Sequence, residues 1–220
     1  PQGTIVATCV VPAGVRLIGM GSGRTTIKSP PGSTTKTVAL GGNNAEVHGL
    51  KIDSSPANND PQYAVDALYA NGGDNGYDNL FITDIHAYHA PHHGIWLYNC
   101  KEYRVENVVC DTAGDWGFRL SGSSGTRGFV RNAIGKNLSN RFLMVREQTD
   151  TQIYAVTGIS NAVTALWLQN CSNVQVFGVT DRAALTLLRA VEEDGVISRR
   201  REGRRNVYAV NIENLMAHRS

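Results

Sequence analysis

The residues best equipped for proton transfer fall in one short stretch: His86, His89, His92 and His93, followed about one structural repeat later by Asp111 and Asp115. An imidazole beside a carboxylate can take and return a proton near neutral pH. Arg119 follows them and could hold a substrate carboxylate. The candidate catalytic set is therefore His93, Asp111, Asp115 and Arg119, with an exposed His-rich turn of no catalytic role as the competing interpretation. A metal site is not expected, because His86 to His93 contains no HExxH or comparable ligand spacing.

A repeat positions these residues. The segments starting at Gly94, Gly117, Arg141 and Ala165 lie 23, 24 and 24 residues apart, and each carries apolar residues at its second and fourth positions. That alternation is the mark of a strand with one face buried. The inward columns are expected to be Ile95, Phe118, Phe142 and Leu166, and Leu97, Leu120, Met144 and Leu168. A second apolar pattern follows, broken by a turn residue: Gly49, Asp84, Asn107, Asn132, Gly158, Gly178 and Asn211. Such residues tolerate left-handed backbone angles, and Asn side chains can bond along a stack, so the column predicts a turn ladder with Asp84 structural. Antiparallel hairpins would not require the same inward positions in every repeat. The pattern predicts an all-β chain, a single-stranded right-handed parallel β-helix with coils of about 24 residues.

Between inward positions, side chains face out and align from coil to coil. One outward column is predicted as Leu68, Trp96, Arg119, Leu143 and Trp167, and its neighbour as Ala70, Tyr98, Ser121, Val145 and Gln169. Two tryptophans, a tyrosine and an arginine on an outer face suit a saccharide, since aromatic rings pack on sugar rings and Arg pairs with uronic carboxylates. The substrate-binding set is Trp96, Tyr98, Arg119, Arg146 and Trp167. The alternative is that a loop or neighbouring chains in a homotrimer cover this face.

Val11 to Gly19 and Gly21 to Ile27 resemble the opening coil of phage tailspikes, polysaccharide depolymerases and alginate-epimerase-like members of the pectate-lyase-like superfamily. The resemblance covers nearly the whole chain as a fold pattern, and those relatives usually carry a further N-terminal capping segment. It implies a polysaccharide partner, a pectate-lyase-like base role for Arg119, calcium as an optional ion with no other cofactor, and an extracellular or virion-associated setting. The epimerase motif Tyr-Gly-Phe-Asp-Pro-His-Glu falls on His93 to Asn99, and its later Asp on Trp116, so its catalytic residues are replaced. Epimerase chemistry is not expected. The polygalacturonase pattern is also missing, and lyase, glycoside hydrolase and a non-enzymatic shaft or adhesin remain open.

Composition sets the outer limits. No shift or linker divides the 220 residues, so 1–220 is taken as one domain: an opening coil to residue 30, regular coils over 31–184, and a C-terminal coil or cap over 185–220. Polar insertions at 54–62 and 71–79 are candidate rims, and residues 185–193 have helix-compatible spacing. A net charge of +2 implies no polyanionic partner for the whole molecule, and the arginine run at 199–205 is taken as a solvated loop without the aromatic interleaving of a nucleic-acid site. No apolar run is long enough to span a membrane. Cys9, Cys100, Cys110 and Cys171 show no metal spacing and are expected to be small buried hydrophobes. The chain opens on Pro1 without Met or a signal peptide, as a processed or excised piece would.

Overall fold

The computed structural model describes residues 3–54, 65–123, 125–159, 164–180, 197–202 and 205–210, and these are all-β. Parallel strands stack into a β-solenoid of about 6 turns with about 25 residues per turn. Two sheets run along it. The first contains β1 (Gly3–Val6), β3 (Arg16–Ile18), β4 (Thr25–Lys28), β6 (Glu46–Asp53), β8 (Phe81–Ala90), β10 (Arg104–Ala113), β12 (Phe129–Lys136), β14 (Gln152–Ile159) and β16 (Gln175–Thr180). The second is built from β2 (Cys9–Val11), β5 (Val38–Leu40), β7 (Leu68–Asn71), β9 (Ile95–Tyr98), β11 (Trp116–Ser121), β13 (Arg141–Arg146) and β15 (Thr164–Gln169). At the C-terminal end the stacking changes sense. β17 (Ile197–Glu202) and β18 (Arg205–Val210) pair antiparallel with each other, and β18 pairs antiparallel with β16. Residues 199–201 of the arginine run are thus strand where a loop was expected. The insertion at 54–62, apart from Ser54, and residues 185–193 lie outside the described residues.

The long strands of the first sheet bend in mid-course. Gly49, Asp84, Asn107, Asn132, Ala155 and Gly178 all have φ between 52° and 70° and occupy one column. Asn107 Nδ2 donates to Asp84 Oδ1 at 3.1 Å, and Asn132 Nδ2 donates to Asn107 Oδ1 at 3.0 Å. The predicted ladder is present among the described residues, with Ala155 in the slot assigned to Gly158, which pairs with Gly135 instead, and Asn211 lies outside them. Further left-handed residues, among them Asn44, Asn79, Glu102, Arg127, Asp150 and Asn173, line another corner. There Asn79 Nδ2 donates to Asn44 Oδ1 at 3.2 Å and Asn173 Nδ2 to Asp150 Oδ1 at 2.6 Å.

Register decides which side chains fill the core. The inner columns of the second sheet are Val38, Leu68, Ile95, Phe118, Leu143 and Leu166, and Leu40, Ala70, Leu97, Leu120, Val145 and Leu168. Each fully buried aliphatic of this kind stabilises by about 1.5–3 kcal/mol. The expected inward positions Phe142 and Met144 are displaced by one residue, because a slip of one exchanges the two faces of a strand. Phe142 is still buried, turned into the corner against Gly117 and Gly135, where a Cβ on Gly135 would lie 2.3 Å from its ring. Cys100 and Cys110 are buried, Cys9 and Cys171 are partly buried, and all four are free thiols.

Candidate functional site

The outer face of the second sheet presents Tyr69, Trp96, Arg119, Met144 and Trp167 in strict register. Its neighbouring column runs through Asn71, Tyr98, Ser121, Arg146 and Gln169. Leu68, Ala70, Leu143 and Val145, expected on this face, are fully buried, and Tyr69, Asn71, Met144 and Arg146 take their places. Trp96 sits at its centre, half-buried. Its indole N–H donates to Ser121 Oγ at 3.0 Å, and Tyr69 and Tyr98 meet it edge-on at 5.1 and 6.0 Å between centroids. The Arg119 guanidinium lies 4.7 Å and Lys36 Nζ 5.7 Å from the Trp96 ring centroid. Cations at such distances over an indole are attracted by its π-face.

Beneath this face lies a chain of titratable groups centred on Asp66, which is fully buried. Its Oδ2 is 2.6 Å from Lys36 Nζ, and its Oδ1 accepts from the His93 backbone N–H at 3.1 Å and lies 2.9 Å from His92 Nδ1. A carboxylate paired with Lys only accepts, so His92 Nδ1 carries a proton and Nε2 is left for other partners. That Nε2 is 3.8 Å from Asp115 Oδ2. Asp115 is anchored at Oδ1 by Asn140 Nδ2 at 2.8 Å. His92 and Asp115 are also joined at the backbone, where Asp115 N–H donates to the His92 carbonyl at 2.9 Å.

His93 does not present a reactive imidazole. It is fully buried, stacks on His92 at 3.5 Å, and offers Nε2 to Arg119 NH1 at 3.1 Å. Arginine always donates, so Nε2 accepts, while Nδ1 meets the Trp116 backbone N–H at 3.4 Å and lies 3.8 Å from Asp115 Oδ2. Burial first, then the neighbouring charges of His92, Arg119 and Lys36, push its pKa down to about 2. His93 positions Arg119. Burial also lowers the pKa of Arg119, with Asp115 acting in the opposite sense. Arg119 forms no ion pair among the described residues, and its buried Nε has no hydrogen-bond partner.

Asp111 belongs elsewhere. It is on the outer side of the first sheet, in register with Tyr88 and Lys136. It accepts from Thr112 Oγ1 at 3.0 Å and Asn137 Nδ2 at 3.1 Å, and its Oδ2 is 3.8 Å from His86 Nε2. Here Lys51 Nζ covers the Tyr88 ring at 3.7 Å, and His89 faces Asp53. The corner between β8 and β9 therefore divides the histidines: His86 and His89 stay with the first sheet, and His92 and His93 turn to the second. Two expected binding residues lie further along the second sheet. Arg146 is paired with Glu147 at 3.1 Å, and Trp167 is half-covered by the Arg141 guanidinium, 3.7 Å from its centroid, with Trp116 edge-on at 6.3 Å.

Asp66, His92 and His93 bring one ligand atom each within 4.8 Å of one another, a spacing that suits a metal ion. The donor set does not fit one. Lys36 is already on Asp66 and Arg119 on His93 Nε2, so two fixed positive charges hold the positions a cation would need. Asp66 and Lys36 were absent from the sequence-derived candidates. The available signal was a lone acid between Val65 and Ala67 in an otherwise apolar segment.

Fold and site together define a parallel β-solenoid with an aromatic, cationic face on one sheet. No family profile matches the sequence, and no curated protein matches it. Among solved structures it is similar to the crystal structure of the Dettilon tailspike protein (gp208), with 15% identity and a TM-score of 0.41. That similarity covers 82% of this chain and 40% of that one. Among the described residues no helix is long and apolar enough to cross a membrane.

Proposed function

We propose that the Trp96 face binds an acidic polysaccharide, with sugar rings lying against Tyr69, Trp96 and Tyr98 and an acidic group paired with Arg119. The observation that carries this reading is the Arg119 guanidinium, held over Trp96 by His93 without a carboxylate of its own. An unpaired, partly desolvated guanidinium beside open aromatic edges is the combination that an anionic sugar satisfies and a neutral one does not. Tyr98, 37% exposed, adds a ring reachable from solvent. Such a role belongs to a protein working outside the cell or on a virion.

Retention on alginate, pectate and hyaluronan, with dextran as the neutral control, tests it. Arg119→Ala and Trp96→Ala are each expected to weaken binding by about tenfold or more, the equivalent of about 1.4 kcal/mol. Oligomer size, followed by light scattering, is expected to stay unchanged. If Trp96→Ala disrupts assembly and leaves polymer binding intact, the face is an interface between chains and the reading is wrong.

A further inference from the structure

A fully buried carboxylate is costly unless its partners recover the desolvation energy. Asp66 accepts that cost, and its contacts are directed at one imidazole. Lys36 fixes Oδ2, the His93 N–H fixes Oδ1, and the same Oδ1 holds His92 by Nδ1. The opposite nitrogen points toward Asp115 at the surface, and the His92 side chain is 28% exposed. A buried carboxylate on Nδ1 with the other nitrogen turned outward is how a histidine is oriented for proton transfer. It is more than packing requires. Trp96 lies 6.1 Å from the His92 ring, which places the imidazole at the edge of the saccharide face.

We infer that His92, oriented by Asp66, is the general base of a polysaccharide lyase acting on 4-linked uronates at this face. The inference rests on the binding reading above. Elimination is favoured over hydrolysis by the placement of carboxylates. Glycoside hydrolysis uses two carboxylates on either side of the bond. Asp66 is buried with both oxygens engaged and Asp111 lies on the other sheet, so at this cluster Asp115 is the single carboxylate, among the described residues, that reaches the surface. Elimination needs one base and a cation on the uronate carboxylate.

Both are present. With the carboxylate paired to Arg119, His92 Nε2 takes the proton from C5. The C5–H electron pair becomes the C4–C5 double bond, and the C4–O4 bond breaks with its pair leaving on O4. The imidazolium then returns the proton to O4, so no water is consumed and His92 is regenerated. This suits a uronate whose C5–H and C4–O4 bonds lie on the same face. Arg119 stabilises the charge that builds on the carboxylate as the proton leaves. Asp66 is a positioning residue.

The test is an ultraviolet assay for unsaturated ends on alginate blocks, pectate and hyaluronan, run beside the binding measurement. The intact protein is expected to release unsaturated ends from at least one polymer that it binds. His92→Ala and His92→Gln are expected to slow release by about a hundredfold or more, with polymer binding by the folded protein retained. Added imidazole is expected to restore part of the His92→Ala rate. Asp66→Asn is expected to lower kcat with KM unchanged, without rescue by imidazole. Binding with no unsaturated product, or with new reducing ends alone, overturns the lyase inference and leaves the binding reading intact. Full activity in both His92 variants also overturns it. If no acidic polymer binds, the binding reading fails first and the inference with it.

Discussion

Replacing Ala155 by Asn should stabilise the solenoid by about 1 kcal/mol. Ala155 has φ 52° in the same ladder as Asp84, Asn107 and Asn132, whose φ values are 56°, 53° and 54°. Left-handed backbone costs an ordinary L-residue about 1–2 kcal/mol, and Asn escapes part of that through local hydrogen bonding. The ladder already passes Nδ2 of one coil to Oδ1 of the coil before it at 3.1 and 3.0 Å. An Asn at 155 would extend it to Asn132. Ala155 is exposed, so the larger side chain displaces nothing. Ala155→Gly relieves the same strain but gains less, because glycine frees the unfolded chain by about 0.4–1 kcal/mol. The assay is urea unfolding followed by circular dichroism, with a higher midpoint at unchanged slope and a melting temperature up by roughly 2–4 °C. An Ala155→Asn protein no more stable than the parent, with Ala155→Gly equally neutral, would refute the claim that this column is strained at Ala155.

Two further outcomes follow from buried polar groups. His93 is held neutral with its pKa near 2 against 6.5 when exposed, so below pH 6.5 the unfolded chain binds a proton that the folded one refuses. Stability should therefore fall on acidification from about pH 6.5, by about 2 kcal/mol at pH 5, and His93→Gln should flatten that limb in unfolding midpoints measured between pH 7 and 5. Identical slopes for the two proteins would contradict the assignment. Tyr103, fully buried, donates its hydroxyl to Gln148 Oε1 at 3.1 Å, and Gln148 is itself buried. Tyr103→Phe strands that oxygen and should cost about 1–3 kcal/mol by urea unfolding; a neutral result would mean that another donor reaches Gln148.

The solenoid was legible because the repeat is a one-dimensional signal. Apolar residues every second position, recurring at nearly constant spacing, can be satisfied by stacking parallel coils, and the Asn, Asp and Gly column marks a bend that recurs with them. Register was legible where polarity alternates, as in Ile95 to Tyr98, and lost in Phe142 to Val145, where four consecutive apolar residues carry no alternation to fix the face. Ala155 was missed in the ladder for a related reason: nothing in an Ala announces a left-handed backbone that neighbouring coils impose. Trp96, Tyr98 and Arg119 could be placed on one outer face from spacing alone. What only the tertiary structure decided is how the charges divide. Whether Asp111 or Asp66 meets a given histidine depends on where the chain turns between sheets, and Asp66 and Lys36 lie some thirty residues apart in sequence while their charged atoms are 2.6 Å apart in space. The roles of His92 and His93 were likewise fixed by burial and by which nitrogen each neighbour engages, quantities that belong to the packed coils and are not encoded in any local pattern of residues.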